Sequence, residues 1–224
     1  MQRIDTDFYE SISGLGNFFG CARKYKLAKE WRALKVKPWL ELGSQVHALM
    51  DNKVPNECWP KAIRIAERLV EAEKDYGFKV LEREVKETVT LAKGLKLVRI
   101  IDVVGEYQGE PVLLDYKVPN KPWYTINRQR PKAMGFQPPA YLFKRPEKKM
   151  YFLVAPADDS PVKAHLYESC KGDEKNVIQA VRIVRHASKM DYFPYNRGFQ
   201  CKWCDFANMC YGKKGWEDEY TKRS

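Results

Sequence analysis

Two aspartates and one lysine carry the sharpest chemical signal in this 224-residue chain. Asp102 closes the run Leu97-Val-Arg-Ile-Ile-Asp, and Asp115 and Lys117 close the run Val112-Leu-Leu-Asp-Tyr-Lys. Between them stands Tyr107-Gln-Gly-Glu, a turn signal. A hairpin turning symmetrically about Gln108-Gly109 places Asp102 directly opposite Asp115, with Cβ atoms about 5 Å apart. Lys117 shares the face of Asp115, because side chains alternate along a strand. Two carboxylates so close repel each other, and apolar neighbours make their desolvation costly. A divalent cation relieves both, and hard oxygen ligands suit magnesium or manganese. A lysine beside such an ion can position an attacking water or stabilise charge developing on a phosphate. Without the second aspartate, Asp115 and Lys117 would equally suit a structural ion pair.

Strands must present these groups, and the pattern supplies them. Phe78 to Leu91 alternates in part, with Val80, Glu82, Glu84, Lys86 and Thr88 expected on one side. Leu95 to Val104 and Val112 to Lys117 follow as apolar strands in the middle of a sheet. Before them, Ser11 to about Trp31, Leu40 to Met50 and Trp59 to Tyr76 read as helices. After them come a helix in the second half of Pro131–Lys144 and strands at Lys149–Ala155 and Val162–Tyr167. An amphipathic helix follows over Asp173–Met190. Pro138-Pro139 suits a first helical turn better than an interior. The order predicts an α/β fold, a mixed central sheet flanked by helices.

A net charge of +11, from 40 Lys+Arg against 29 Asp+Glu, suits a polyanion partner or a solvated basic surface. Charge alone does not choose between DNA, RNA and an acidic membrane. Hydrophobic residues make up 44%, which excludes a chain too polar to fold. No apolar run is long enough to span a bilayer, and Met1-Gln-Arg-Ile-Asp does not read as a signal peptide. The expectation is a cytoplasmic protein of a bacterial, archaeal or phage-infected cell, where disulfides are rare. Cys201-x2-Cys204-x5-Cys210 with one distant cysteine fits a four-thiolate site, and spacing does not separate zinc from a [4Fe–4S] cluster. Cys58 and Cys170 lack suitable partners.

Asp102 followed by Asp115-Tyr116-Lys117 resembles the core motif of the PD-(D/E)xK nucleases. In that family the backbone carbonyl of the middle residue, here Tyr116, can also face the metal. Gly43-Ser-Gln-Val-His47 resembles the G-x-x-x-H element of the RecB-like branch, and Gln137-Pro-Pro-Ala-Tyr141 its Q-x-x-x-Y element. Cys21-Ala-Arg23-Lys24-Tyr25 is similar to the leader of the CRISPR-associated RecB-like exonucleases and AddB-type nuclease domains. The C-terminal cysteines are similar to their cluster motif. Three positions depart: Arg99 replaces a glycine, Ala22 replaces a proline, and Pro138-Pro139 stands in the Q-x-x-x-Y element.

The resemblance implies a restriction-endonuclease-like core and a metal-dependent DNA exonuclease with a preference for single-stranded ends. The alternative is a non-catalytic or partner-dependent DNA-binding subunit. It implies Asp102, Asp115 and Lys117 as catalytic residues, with His47, Asp102, Asp115 and the Tyr116 carbonyl on magnesium or manganese. Cys21, Cys201, Cys204 and Cys210 would hold a [4Fe–4S] cluster, with structural zinc as the other reading. That cluster would join the N- and C-terminal segments. Gln137, Tyr141, Arg23 and Lys24 would contact DNA. A single domain over 1–224 is expected: helical at 11–76, the nuclease core at 78–190, and a cluster-bearing tail at 191–224. No phosphate-binding G-x-x-x-x-G-K-[ST] occurs, so any helicase would be a partner, as would recombination or CRISPR-adaptation proteins.

Overall fold

The protein is described by a computed structural model covering residues 7–34, 37–119 and 136–223. In chain order the elements are β1 (Phe8–Ser11), α1 (Ile12–Gly20), α2 (Ala22–Glu30), β2 (Trp31–Ala33), α3 (Pro38–Met50) and α4 (Pro60–Asp75). Then come β3 (Phe78–Ala92), β4 (Leu95–Tyr107), β5 (Glu110–Lys117), α5 (Gln137–Leu142), β6 (Lys149–Val154) and β7 (Lys163–Glu168). The series closes with α6 (Asp173–Met190), α7 (Ala207–Cys210) and β8 (Tyr220–Lys222). The sheet order is β1-β4-β5-β6-β7, with β3 also paired to β4, while β2 and β8 form a separate ribbon. The chain divides into two compact units, one of residues 37–89 and 98–177, the other of 1–36, 90–97 and 178–224.

The first unit is the α/β one. β4 and β5 are antiparallel, in register from Val103 opposite Leu114 to Tyr107 opposite Glu110. Gln108 (φ 53°) and Gly109 (φ 80°) both take positive φ, the backbone of a two-residue hairpin turn that matches strand twist. β6 joins β5 in parallel, with Asp115 opposite Phe152 and Lys117 opposite Val154, and β7 joins β6 antiparallel. The sheet is therefore mixed. α3 and α4 each begin with proline, whose missing N–H is harmless in a first turn. Their stripes Leu42, Val46, Met50 and Ile65, Ala66, Leu69 bury against Val103, Val112, Leu114 and Leu153.

The alternation expected along β3 does not hold. Phe78 and Val80 point inward, both Leu81 and Glu82 are exposed, and beyond Glu84 the odd residues turn in. Glu84 has φ 50°, the signature of an extra residue bulged out of a strand. That slip turns Glu87 inward, where strict alternation would have exposed it. α5 starts at Gln137 with its prolines in the first turn, as their chemistry requires. This is the helix expected in the second half of Pro131–Lys144, and residues 131–135 lie outside the described residues.

The second unit gathers α1, α2, β2, the residues after 178 and the short ribbon. The helix expected over Ser11–Trp31 is two helices. Cys21 is extended (φ −164°, ψ 111°), ending α1 by donating its N–H to Asn17 and starting α2 by accepting from Tyr25. Gly20, a poor helix former, directly precedes that break. Leu27, Phe206 and Tyr220 form the apolar centre, with Trp31, Met209 and Trp216 packed around it. Trp31 pairs with Lys222 and Ala33 with Tyr220. Buried Glu10 accepts from Tyr25 Oη and from the N–H of Ser11 at 2.8 Å.

Back in the α/β unit, Gly105 marks the closest strand approach, because a Cβ there would stand 2.6 Å from the Lys79 carbonyl oxygen. Gly105→Ala should lower stability by about 1–3 kcal/mol through backbone displacement, read as a shifted urea midpoint with unchanged slope. An unchanged midpoint would mean that β3 yields freely there.

Candidate active site

Asp102 and Asp115 stand at the next position of the β4–β5 register, one step beyond Val103 and Leu114. The Asp102 carboxylate accepts the backbone N–H of Tyr116 at 2.9 Å, so it bridges the strands where the described ladder ends. His47, on α3, lies with Nδ1 3.4 Å from the same Asp102 oxygen. Asp115 is buried, and its Oδ2 lies against Lys117 Nζ without hydrogen-bond geometry to any group. The Lys117 ammonium also sits 5.5 Å from the Phe152 ring centre. Tyr141, on α5, is buried beside both aspartates and hydrogen-bonded to Gln137.

The electrostatics follow from this crowding. Burial, then the Asp115 charge, pushes Asp102 up to about 7, against the relief offered by His47, the Tyr116 N–H and Lys117. Burial and the charges of Asp115 and Asp102 hold the Tyr141 phenol well above the usual range, so it remains a proton donor. Two carboxylates, one with an unsatisfied buried oxygen, beside a histidine form a donor set that a hard divalent ion fits. As they stand, no three His, Cys, Asp or Glu side chains among the described residues converge closely enough to hold a metal ion.

The sequence motifs also pass over two supporting networks. Tyr116 turns its side chain away from the carboxylates. Its hydroxyl donates to buried Glu73 of α4 and accepts from Arg83 of β3, and Arg83 Nη2 reaches Glu73 at 2.8 Å. The residue between Asp115 and Lys117 is thereby pinned to helix and strand. Arg99, in the glycine position of the resembled pattern, is buried and bonded to Glu87 and to carbonyls of and just after α5. A glutamate inside the apolar stripe of α4 and an arginine inside an apolar strand were the available signals, since charges rarely enter such positions unpaired.

In the other unit, Cys21, Cys201, Cys204 and Cys210 line one pocket together with Lys24, Arg197 and Tyr211. Burial raises the Cys204 and Cys210 thiols, whereas hydrogen bonds from Tyr211 and the Gly198 backbone lower Cys201. Arg23 stacks over Tyr195 at 5.6 Å. Cys58 is partly buried in the α/β unit and Cys170 is exposed.

A mixed sheet thus brings an aspartate pair and a lysine to one end of a hairpin, with a histidine from a preceding helix beside them. The chain belongs to the PD-(D/E)XK nuclease superfamily, which it matches over residues 59–211. Its fold is similar to that of a putative exonuclease from Eubacterium rectale, with 14% identity and a TM-score of 0.53. That match covers 92% of this chain and 88% of the other. It is also similar to SSO0001, with 15% identity and a TM-score of 0.52 over 90% of this chain and 85% of the other. At these identities the likeness establishes the fold. No curated protein matches the chain in sequence. Among the described residues, no helix is long and apolar enough to cross a membrane.

Because the folded pKa of Asp102 is raised, its ionisation opposes folding. Its contribution is most favourable below the ordinary value of 3.8 and is lost as pH rises to about 7. Magnesium should reverse this, since it binds the ionised form. Metal-free wild type should therefore lose more melting temperature between pH 6 and 8 than Asp102→Asn, with magnesium closing the gap. Parallel melting curves would show that Asp102 does not titrate in this range.

Proposed function

We propose that this chain is a metal-dependent DNA exonuclease that works from single-stranded ends. The observation that carries the reading is the placement of Asp102 and Asp115 at one register position, with Lys117 in contact. His47, Asp102, Asp115 and the Tyr116 carbonyl would hold magnesium or manganese. A bound ion would lower the pKa of a water nucleophile and offset charge on the phosphate. Lys117, steadied by Asp115 and the Phe152 ring, directs its charge toward a non-bridging phosphate oxygen. Tyr141, kept protonated, donates a hydrogen bond at the same centre, and Gln137 orients its hydroxyl. Arg23 and Lys24 provide phosphate contacts.

Exposed aromatic residues support the preference for a single strand. Tyr195, Phe199 and Tyr211 are each more than half exposed, and Lys202 lies 5.7 Å from the Phe199 ring centre. Aromatic faces among cations stack unpaired bases, which a closed duplex withholds. The same unit carries the four-cysteine pocket, and Cys21, Cys201, Cys204 and Cys210 would hold a [4Fe–4S] cluster there. Lys24 and Arg197 supply positive charge beside a thiolate cluster. Such a cluster would tie the N-terminal helices to the tail, and recombination, repair or CRISPR adaptation is the setting such an enzyme suits.

Linear single-stranded DNA should be degraded with magnesium or manganese while covalently closed circles survive. Asp115→Ala should lose roughly a hundredfold or more, because a ligand contributes several kcal/mol to the transition state. Equal initial rates on both substrates would remove the end requirement, and a fully active Asp115→Ala would remove the site.

Anaerobically purified protein should be brown, with broad absorption near ~400 nm and iron and sulfide in about equal amounts. Cys21→Ala should lose the colour and melt lower. Stoichiometric zinc without iron would replace the cluster by a structural zinc ion.

A further inference from the structure

Arg99 is buried at 3% exposure inside β4, in the middle of an apolar strand. Its Nη1 donates to the carbonyl oxygens of Ala140 at 3.2 Å, Tyr141 at 2.7 Å and Phe143 at 2.8 Å. Its other edge is held by Glu87, through Nε at 2.7 Å and Nη2 at 2.6 Å. Glu87 also meets Arg145, which is forked onto Glu147 at 2.7 and 2.8 Å. The chain Arg99–Glu87–Arg145–Glu147 is electrically neutral, with like charges separated by opposite ones. A buried guanidinium survives in such company because each of its three nitrogens meets an acceptor.

What this fork holds is a helix that cannot hold itself. α5 has six residues, two of them prolines without an N–H. A helix of that length gains too few backbone bonds to offset its nucleation cost. Its last carbonyls have no intrahelical partner, and these are the groups that Arg99 takes. Yet α5 presents Tyr141 to the two carboxylates, with Gln137 hydrogen-bonded to it. Arg99 lies three residues before Asp102 on the same strand. The guanidinium therefore refers the phenol and the Asp102 carboxylate to one rigid element. A glycine, as in the resembled pattern, has no side chain with which to do this.

We propose that Arg99 is a positioning residue of this site, a clamp that acts on cleavage through Tyr141 by fixing the C-terminal end of α5. The inference rests on the nuclease reading above. Arg99 reaches no reacting group itself. Lysine in its place keeps the charge toward Glu87, but one ammonium cannot span both Glu87 and three carbonyls.

The test uses the full chain with 3-fluorotyrosine installed at position 141 and a fluorine spectrum recorded without added magnesium or manganese. Arg99→Lys should shift or broaden the resonance while the melting temperature stays within a few degrees. The paired variant Arg99→Met with Glu87→Gln removes both charges of the ion pair together, should Arg99→Lys fail to fold. An unchanged resonance in a folded Arg99 variant would overturn the clamp, and this readout needs no turnover. An inactive wild type would therefore count against the nuclease reading alone.

Cleavage of linear single strands gives the second arm. Arg99→Lys should lower kcat by about tenfold to a hundredfold, as small misplacements do, with KM changed by less than about threefold. Combined with Tyr141→Phe, it should cost no more than the worse single variant, because both act through one hydroxyl. Losses that multiply would show that Arg99 acts elsewhere.

Discussion

The structure turns on the burial of two like charges at one position of a β-hairpin. Asp102 and Asp115 are brought together by strand pairing, which leaves neither the freedom to swing away. The surroundings make that pairing tolerable without neutralising it. Lys117 is shared with Asp115, the Tyr116 N–H with Asp102, and His47 approaches from α3. The remaining strain appears as the raised pKa of Asp102 and the unsatisfied Asp115 oxygen. A divalent cation bound here would relieve both.

That arrangement demands stiffness from everything bearing on it. β5 is enclosed between β4 and β6, and Tyr116, between Asp115 and Lys117, is gripped by Glu73 and Arg83 on the side away from the carboxylates. Asp115 and Lys117 thus project from a strand fixed on both faces. The contribution of α5 is of the opposite kind. It has little intrinsic stability and borrows its order from charged groups around it. Rigid strands carry the charges, while a dependent helix, fixed by its charged neighbours, carries the neutral donors.

The hairpin was legible in the sequence because its register follows from a Gln-Gly turn between two apolar runs, and both features are local. The amphipathic helix Asp173–Met190 was legible for the same reason. Other parts depend on partners distant in the chain. The phase of β3 slips at Glu84, and nothing near Glu84 announces a bulge. The slip is stabilised by what it turns inward, Glu87 toward Arg99. Cys21 interrupts what composition reads as one helix. Arg99 looked like a departure from a glycine position until its three carbonyl partners, more than forty residues onward, gave it a purpose. The strands β2 and β8 are three residues each, too short for any periodicity to show.

The pairing of Trp31 with Lys222 has a consequence for synthesis. A chain emerging from the ribosome completes residues 37–177 as a continuous stretch, and these hold every strand of the mixed sheet except β1. Residues 22–33 emerge earlier, yet several of their partners lie beyond residue 190. Tyr25 and Leu27, buried in the finished protein, wait exposed until Phe193, Phe206 and Tyr220 have been translated. The strands that carry the two aspartates can therefore assemble while the cysteine-bearing unit is still incomplete.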